Sequence, residues 1–395
     1  MRAMLRITDD ERRRRLARRH ALTPDDRAAT VEEAAARVVC LHATDPATIA
    51  LSAWARVDGF AVDDLERALY ADRTLVKHLA MRRTLFVFPR ELLAAAQAGS
   101  SLRVAKQERD RLAKDIERSG LHPDGAAWIE SASAELVAHL AAGQERTARE
   151  LRGELPLLAS KITAGSGKWS QEMSVGPRLL TALGAAGAVV RGTNDGAWYA
   201  SRPRWTAMHA WLGEPLAEVR VDDGVAALVE RWLRAFGPGT TNDIKWWLGG
   251  TVAATKQALA RLEAVEVALD DGSTGWVLPD DVDPSPEVEP SGALLPSLDP
   301  TTMGWKDRDW YLGRHKPLIY DSVGNAGPTI WWEGRIVGGW RQDDEGAVEL
   351  QWLDDVGADA RAAMEAEAER LTAWLGGTRV MMRFPSPLSR QRAGA

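Results

Sequence analysis

The feature that most restricts the fold is a pattern that occurs twice in the middle of the chain. Thr147-Ala-Arg-Glu-Leu-Arg and Thr241-Asn-Asp-Ile-Lys-Trp-Trp each place a helix-capping threonine ahead of a short amphipathic run. A longer helical stretch follows each, and then two strand-like runs around Asn/Asp/Gly turns: Ala188-Val-Val-Arg-Gly-Thr-Asn-Asp-Gly-Ala-Trp-Tyr and Val267-Ala-Leu-Asp-Asp-Gly-Ser-Thr-Gly-Trp-Val-Leu. Leu183 and Leu262 stand 79 residues apart, as do Gly196 and Gly275, whereas the threonines are 94 apart. The first copy therefore carries extra residues between its leading helix and its hairpin, around Leu157 to Gln171. Helices followed by a β-hairpin make a winged-helix unit, and self-similarity along a chain implies tandem copies.

The N-terminal region fits the same plan more loosely. Thr30 is a good N-cap for an amphipathic helix over residues 31–41, and Asp45 with Pro46 starts a second helix running to Val57. Two helices joined so tightly suggest a helix-turn-helix. Residues 75–87 lead into Thr84-Leu-Phe-Val-Phe, a strand stopped by Pro89. The expected segments are a first winged-helix unit over 1–120, a second over 121–210 and a third over 211–283. Pro279 to Pro290 is acidic and proline-rich, the composition of a linker. Beyond it, residues 291–395 form a separate domain: short apolar runs between glycine turns, as in a small antiparallel sheet or barrel, then a helix from Ala358 to Leu375 ending at Gly376.

Composition excludes several classes. A chain of 395 residues, 45% hydrophobic and 27% charged, builds real cores rather than a disordered or disulfide-stapled scaffold. Cys40 is the single cysteine, so no intrachain disulfide forms and a reducing, intracellular setting is expected. The longest charge-free apolar stretch, Leu179 to Val190, is too short to span a membrane, and the arginine-rich start is no signal peptide. The net charge of −6 hides an asymmetry: residues 1–120 hold 23 Lys+Arg against 18 Asp+Glu, the remainder 27 against 38. Local positive charge of this kind permits a polyanion to bind. The seven histidines show no metal-ligand spacing, and Gly165-Ser-Gly-Lys168-Trp169 lacks the full phosphate-loop pattern, so neither metal nor cofactor is expected.

Leu41-His-Ala-Thr-Asp-Pro, Met81-Arg-Arg-Thr-Leu, the paired repeat, and Leu294-Leu-Pro-Ser-Leu-Asp-Pro followed by Gly304-Trp-Lys-Asp-Arg resemble the AlkZ/YcaQ-type winged-helix DNA glycosylases over roughly residues 8–385. The resemblance implies an α+β fold of three tandem winged-helix units plus a C-terminal antiparallel β-barrel domain, C-shaped around a channel for duplex DNA. It also implies a bacterial, cytoplasmic, nucleoid-associated monomer, a monofunctional glycosylase that excises bulky N-alkylated purines and in some members unhooks interstrand crosslinks. The family's catalytic motif, Gln, an apolar residue, then Gln or Asp, falls here on His42, Ala43 and Thr44, so both polar positions depart from the commonest form.

Hydrolysis of an N-glycosidic bond passes through a sugar with oxocarbenium character, which asks for negative charge and a held water. An alkylated purine leaves readily because it is already cationic, and little general acid is needed. The matching roles are water orientation or general base for His42, electrostatic stabilisation for Asp45 and a supporting hydrogen bond from Thr44. Local readings stand beside these: Asp45 before Pro46 is a helix cap, His42 a turn histidine bonded to backbone, Cys40 a buried structural thiol.

For DNA phosphates the candidates are Lys77, Arg82 and Arg83 around the first strand, Lys168, Arg202 and Arg204 in the second unit, and the basic helix of Arg12 to Arg15, Arg18 and Arg19. Lys306 and Arg308 lie in a charged cluster with Asp299, Asp307 and Asp309 that is either a salt-bridged barrel rim or a phosphate contact. Most of the seventeen tryptophans belong to packing, with Trp169 or Trp198 available to stack on a base. The rival functions are a non-catalytic winged-helix DNA-binding protein or regulator, and a protein–protein module without DNA.

Overall fold

The computed structural model describes residues 4–165, 170–381 and 383–391. They divide into two compact units, one discontinuous (Met1–Ala68 with Ala226–Ala395) and one continuous (Leu69–Val225). The first stretch of the discontinuous unit runs β1 (Arg6–Ile7), α1 (Asp9–Arg19), α2 (Val31–Arg37), β2 (Leu41–His42), α3 (Pro46–Trp54) and α4 (Val62–Glu66). Thr8 caps α1 by accepting the Glu11 N–H, and the acidic first turn and basic last turn suit the helix dipole. Thr30 caps α2 as expected, but α2 stops at Arg37 rather than at residue 41. Val39 adopts a left-handed backbone, φ +69°, and turns the chain into β2. Asp45 and Pro46 start α3, every residue of which is buried.

The continuous unit opens with an antiparallel hairpin, β3 (Leu75–Ala80) and β4 (Thr84–Pro89), followed by α5 (Arg90–Ala96), α6 (Leu102–Arg118) and α7 (Gly125–Leu140). Then come β5 (Arg146–Thr147), α8 (Ala148–Glu154), β6 (Lys161–Ala164), β7 (Gln171–Ser174), α9 (Gly176–Ala185), β8 (Val189–Asn194), β9 (Pro203–Ala207) and α10 (Met208–Leu212), and α11 (Val221–Phe236) leads out. Thr147 and Glu150 form a capping box at the start of α8. The antiparallel pair β6 and β7 occupies the place of the extra residues in the first copy. The second strand of the following hairpin is Pro203–Ala207 rather than the Ala197-Trp-Tyr run. Asn194 accepts the Arg202 N–H and donates to the Ala200 carbonyl, closing residues 195–202 into a loop. Leu112, Ile116, Leu136, Leu151, Leu179 and Trp205 share the main core of this unit. Gly99 meets Gly224 so closely that a Cβ on Gly99 would stand 2.7 Å from the Gly224 backbone, which explains glycine at both places.

The chain re-enters the discontinuous unit through β10 (Gly239–Thr240), α12 (Thr241–Leu248), α13 (Val252–Arg261), β11 (Val265–Leu269) and β12 (Thr274–Val277). The sheet order is β10-β12-β11, with β1 added in parallel to β11, and matches β5-β9-β8 in the other copy. In both, a short strand ahead of the second helix pairs with the last strand of the hairpin. The threonine that caps α12 is Thr240, in a capping box with Asp243. Thr241 instead accepts a hydrogen bond from the Trp276 indole. Gly196 and Gly275 are not equivalent, because one lies in a loop and the other in β12.

Residues 279–290 are a strap tied down rather than a free linker. Arg15 donates to the carbonyls of Asp281 and Asp283, and the Ser285 N–H donates to Glu11. The last part comprises β13 (Gly292–Leu295), α14 (Pro300–Met303), α15 (Asp309–Leu312), α16 (Lys316–Ile319), β14 (Thr329–Trp332), β15 (Arg335–Gln342), β16 (Val348–Trp352) and α17 (Gly357–Leu375), which ends at Gly376 as expected. The sheet is an open antiparallel meander, β13-β14-β15-β16, and corrects the expected barrel. Four strands of four to eight residues are too few to close around a core, and α17, packed against β13 and β16, supplies cover instead.

Candidate active site and cationic surfaces

The motif turn joins β2 to α3, and helix capping dictates its shape. His42 and Asp45 are buried, at 6% and 3% exposure, and Thr44 is half-buried. The Thr44 N–H donates to His42 Nδ1 at 3.4 Å, which in a neutral imidazole leaves the ring proton on Nε2. Asp45 Oδ1 accepts the Ala47 N–H as the N-cap, and Oδ2 accepts the Arg383 N–H from the C-terminal segment. Burial pushes the Asp45 carboxyl above its ordinary range, against the pull of those two amides and the Arg383 charge. Sequence reasoning missed Arg383, which lies 338 residues away and carries no motif. Cys40 is buried beside the turn, consistent with a structural thiol.

Two further stretches behind the resemblance, residues 294–300 and 304–308, are staples within the same unit. Asp299 is fully buried and accepts from both outer nitrogens of Arg56, at 2.7 and 2.9 Å, from the Ser52 hydroxyl and from the Thr301 N–H. Burial works to raise its pKa, but Arg56 and the other donors hold it below the usual range. Thr48 donates to the Ser297 carbonyl, so α3 is fixed to residues 297–301 along its length. Asp243 receives the Lys306 and Asp307 N–H groups on one oxygen and the Thr240 amide and hydroxyl on the other. Asp299 is thus a core anchor rather than part of a rim.

The expected phosphate contacts sort by exposure. Lys306, Arg202 and Arg83 are exposed, Arg82 is half-buried, and Lys168 and Trp169 lie outside the described residues. Arg308 is turned inward: it donates to the Trp305 carbonyl and its guanidinium lies over Trp246 and Tyr320. Packing in this aromatic nest replaces a phosphate contact there. Arg204 is half-buried and held by Asp195 and Glu150, and Lys77 donates to the Tyr70 hydroxyl. The basic helix is also spent internally. Arg12 covers Trp310, Arg13 donates to the Trp310 carbonyl, Arg14 and Arg15 bind Glu11, Arg18 binds Asp26, and Arg19 reaches Gly237 and Asp281. Its positive charge faces partners within the unit, not solvent. Trp198 is half-buried edge-on to Tyr199.

Among the described residues of this α+β chain, no group of three or more His, Cys, Asp or Glu side chains could hold a metal ion. No described helix is long and apolar enough to cross a membrane. The model of the family described as AlkZ-like DNA glycosylase matches residues 35–374, and the chain belongs to that family. Its fold is similar to that of the Streptomyces sahachiroi DNA glycosylase AlkZ, with a TM-score of 0.74 and 19% sequence identity over 96% of this chain and 100% of that one. A comparison with curated proteins gave no match.

Proposed function

We propose that this chain is a monofunctional DNA glycosylase that hydrolyses the N-glycosidic bond of bulky N-alkylated purines in duplex DNA, interstrand crosslinks among them. It would act as a monomer in a bacterial cytoplasm, with three winged-helix units as its scaffold. The family match over residues 35–374 carries the reading, and the common sheet order of the two hairpin repeats supports the scaffold.

The roles follow from the turn. With Nδ1 taken by Thr44, His42 Nε2–H is a donor, so the imidazole orients a water by its oxygen rather than removing its proton. Each Asp45 oxygen accepts one amide, which leaves a lone pair on each and a negative charge to stabilise an oxocarbenium-like sugar. The cationic purine departs as a neutral base with the electron pair of the broken C1′–N bond, water attacks C1′ from the opposite face of the sugar, and the proton that this water loses passes to solvent. The test is to incubate purified protein with duplex carrying a bulky N7-alkylguanine and assay alkali-labile abasic sites. His42→Ala and Asp45→Asn are expected to lower release at least tenfold while duplex binding persists.

A second reading, a DNA-binding protein without catalysis, is favoured by one observation: His42 and Asp45 are buried and the carboxylate serves two backbone amides. No release from any adduct, with salt-dependent binding intact, selects it.

A further inference from the structure

We infer that α6 carries a phosphate clamp, two arginine forks set a heptad apart, each held by a carboxylate from the helix itself. The inference rests on the reading of this chain as a protein that acts on duplex DNA. Glu108 is 1% exposed, and its Oε1 takes Arg83 Nε at 2.7 Å and Arg111 at 3.2 Å. Asp115, seven residues on, takes Arg118 on one oxygen and Arg178 on the other at 3.0 Å. Each fork therefore holds two positive charges on one negative charge. Arg83, Arg111 and Arg118 remain 51%, 59% and 47% exposed at the side chain.

Three features separate this arrangement from an ordinary solvated helix face. First, exposed ion pairs are usually single and mobile, whereas here the acids are buried and the arginines are excess cations fixed by them. A guanidinium fixed through one nitrogen, which in Arg118 is an Nη2 shared between Asp115 and the Thr163 carbonyl, has its other N–H groups to offer a second, planar acceptor, the geometry in which arginine binds phosphate. Second, Arg83 sits at the tip of the β3–β4 hairpin in left-handed backbone, φ +63°, directly after Arg82 at φ +55°. Glycine or asparagine would adopt that conformation without strain, so the side chain at this place has a use that offsets the cost. Third, seven residues at about 1.5 Å each separate the two acids by about 10.5 Å along the helix axis, so the forks present two cationic points on one helix within the span of a few backbone phosphates. The contacts carry no base information; they set the position of the duplex.

The experiment measures affinity of the full chain for an undamaged duplex across a salt series. Removing one arginine–phosphate interaction reduces the slope of log K against log salt by about 0.9. Arg118→Gln leaves Asp115 paired with Arg178 and keeps the fold, and is expected to lower the slope by about 1. Arg83→Gln with Arg111→Gln should lower it by about 2, whereas lysine at both places restores most of it. Arg314→Gln, an exposed arginine outside the clamp, leaves it unchanged. Unaltered slopes in the folded clamp variants, with wild-type binding intact, overturn the clamp and spare the DNA reading. A wild-type chain without salt-dependent duplex binding overturns both.

Discussion

Two histidines show how burial becomes pH dependence. His20 is fully enclosed, between the Thr301 hydroxyl and the Ala235 carbonyl, and burial, reinforced by the nearby Arg56 charge, lowers its pKa to about 3. Burial likewise lowers His78 to about 4, against a hydrogen bond with Gln97. Both folded values lie below the unfolded value of about 6.5, so the stability each contributes is complete above that pH and is lost as pH falls toward the folded value. Urea titrations should therefore show stability falling by about 1.4 kcal/mol per pH unit for each histidine between about pH 6 and pH 4.5. His78→Leu is expected to remove one of these two contributions, and an unchanged acid limb would contradict the assignment. Residue-scale features of this kind are partly legible in the sequence. The Asp45 cap follows from Asp-Pro chemistry, because the capping partner is two residues away. The Arg383 amide on its other oxygen does not, because nothing local encodes a contact made across the chain.

Elements whose signals are local can be read from the sequence, and those whose meaning depends on distant partners cannot. The α8 capping box, the Asp/Gly hairpin between β11 and β12 and the α17 terminus are each fixed within a few residues. The arginines of α1 have the pattern of a phosphate-binding face, yet their partners are the Trp310 carbonyl, 297 residues away, and Asp281, 262 residues away. The open meander reads as a barrel because alternation of apolar residues and turns specifies antiparallel strands but not closure. One link between elements is the Arg56–Asp299 pair, which fastens the end of α3 to the start of α14 with both side chains wholly buried. Removing one partner strands a buried charge, so Asp299→Ala should cost about 3–5 kcal/mol in urea unfolding. Arg56→Met together with Asp299→Leu should cost much less, since an apolar pair has no charge to desolvate. Equal losses in the single and double variants would show that the cost lies in packing, not charge.

At the scale of the molecule, the division into a continuous and a discontinuous unit separates the chemistry. His42, Thr44 and Asp45 belong to the unit assembled from both ends of the chain, whereas Arg83, Arg111 and Arg118 belong to residues 69–225. Formal charge divides in the same way: residues 69–225 hold 21 Lys+Arg against 18 Asp+Glu, and the rest of the chain 29 against 38. The main core from Leu112 to Ala207 and the smaller cluster around Val76, Leu93 and Trp211 fall entirely within the continuous stretch, which therefore contains what a domain needs to fold alone. Expressed as a fragment, Leu69–Val225 should unfold cooperatively and be retained on immobilised duplex DNA at low salt. Its release should come at rising salt, because neutralising phosphates displaces counterions. The fragment should release no base from alkylated duplex and leave no alkali-labile sites, since the motif turn is absent from it. Cooperative folding without retention on DNA would place the phosphate contacts in the acidic, discontinuous unit, where they would have to work against its net negative charge.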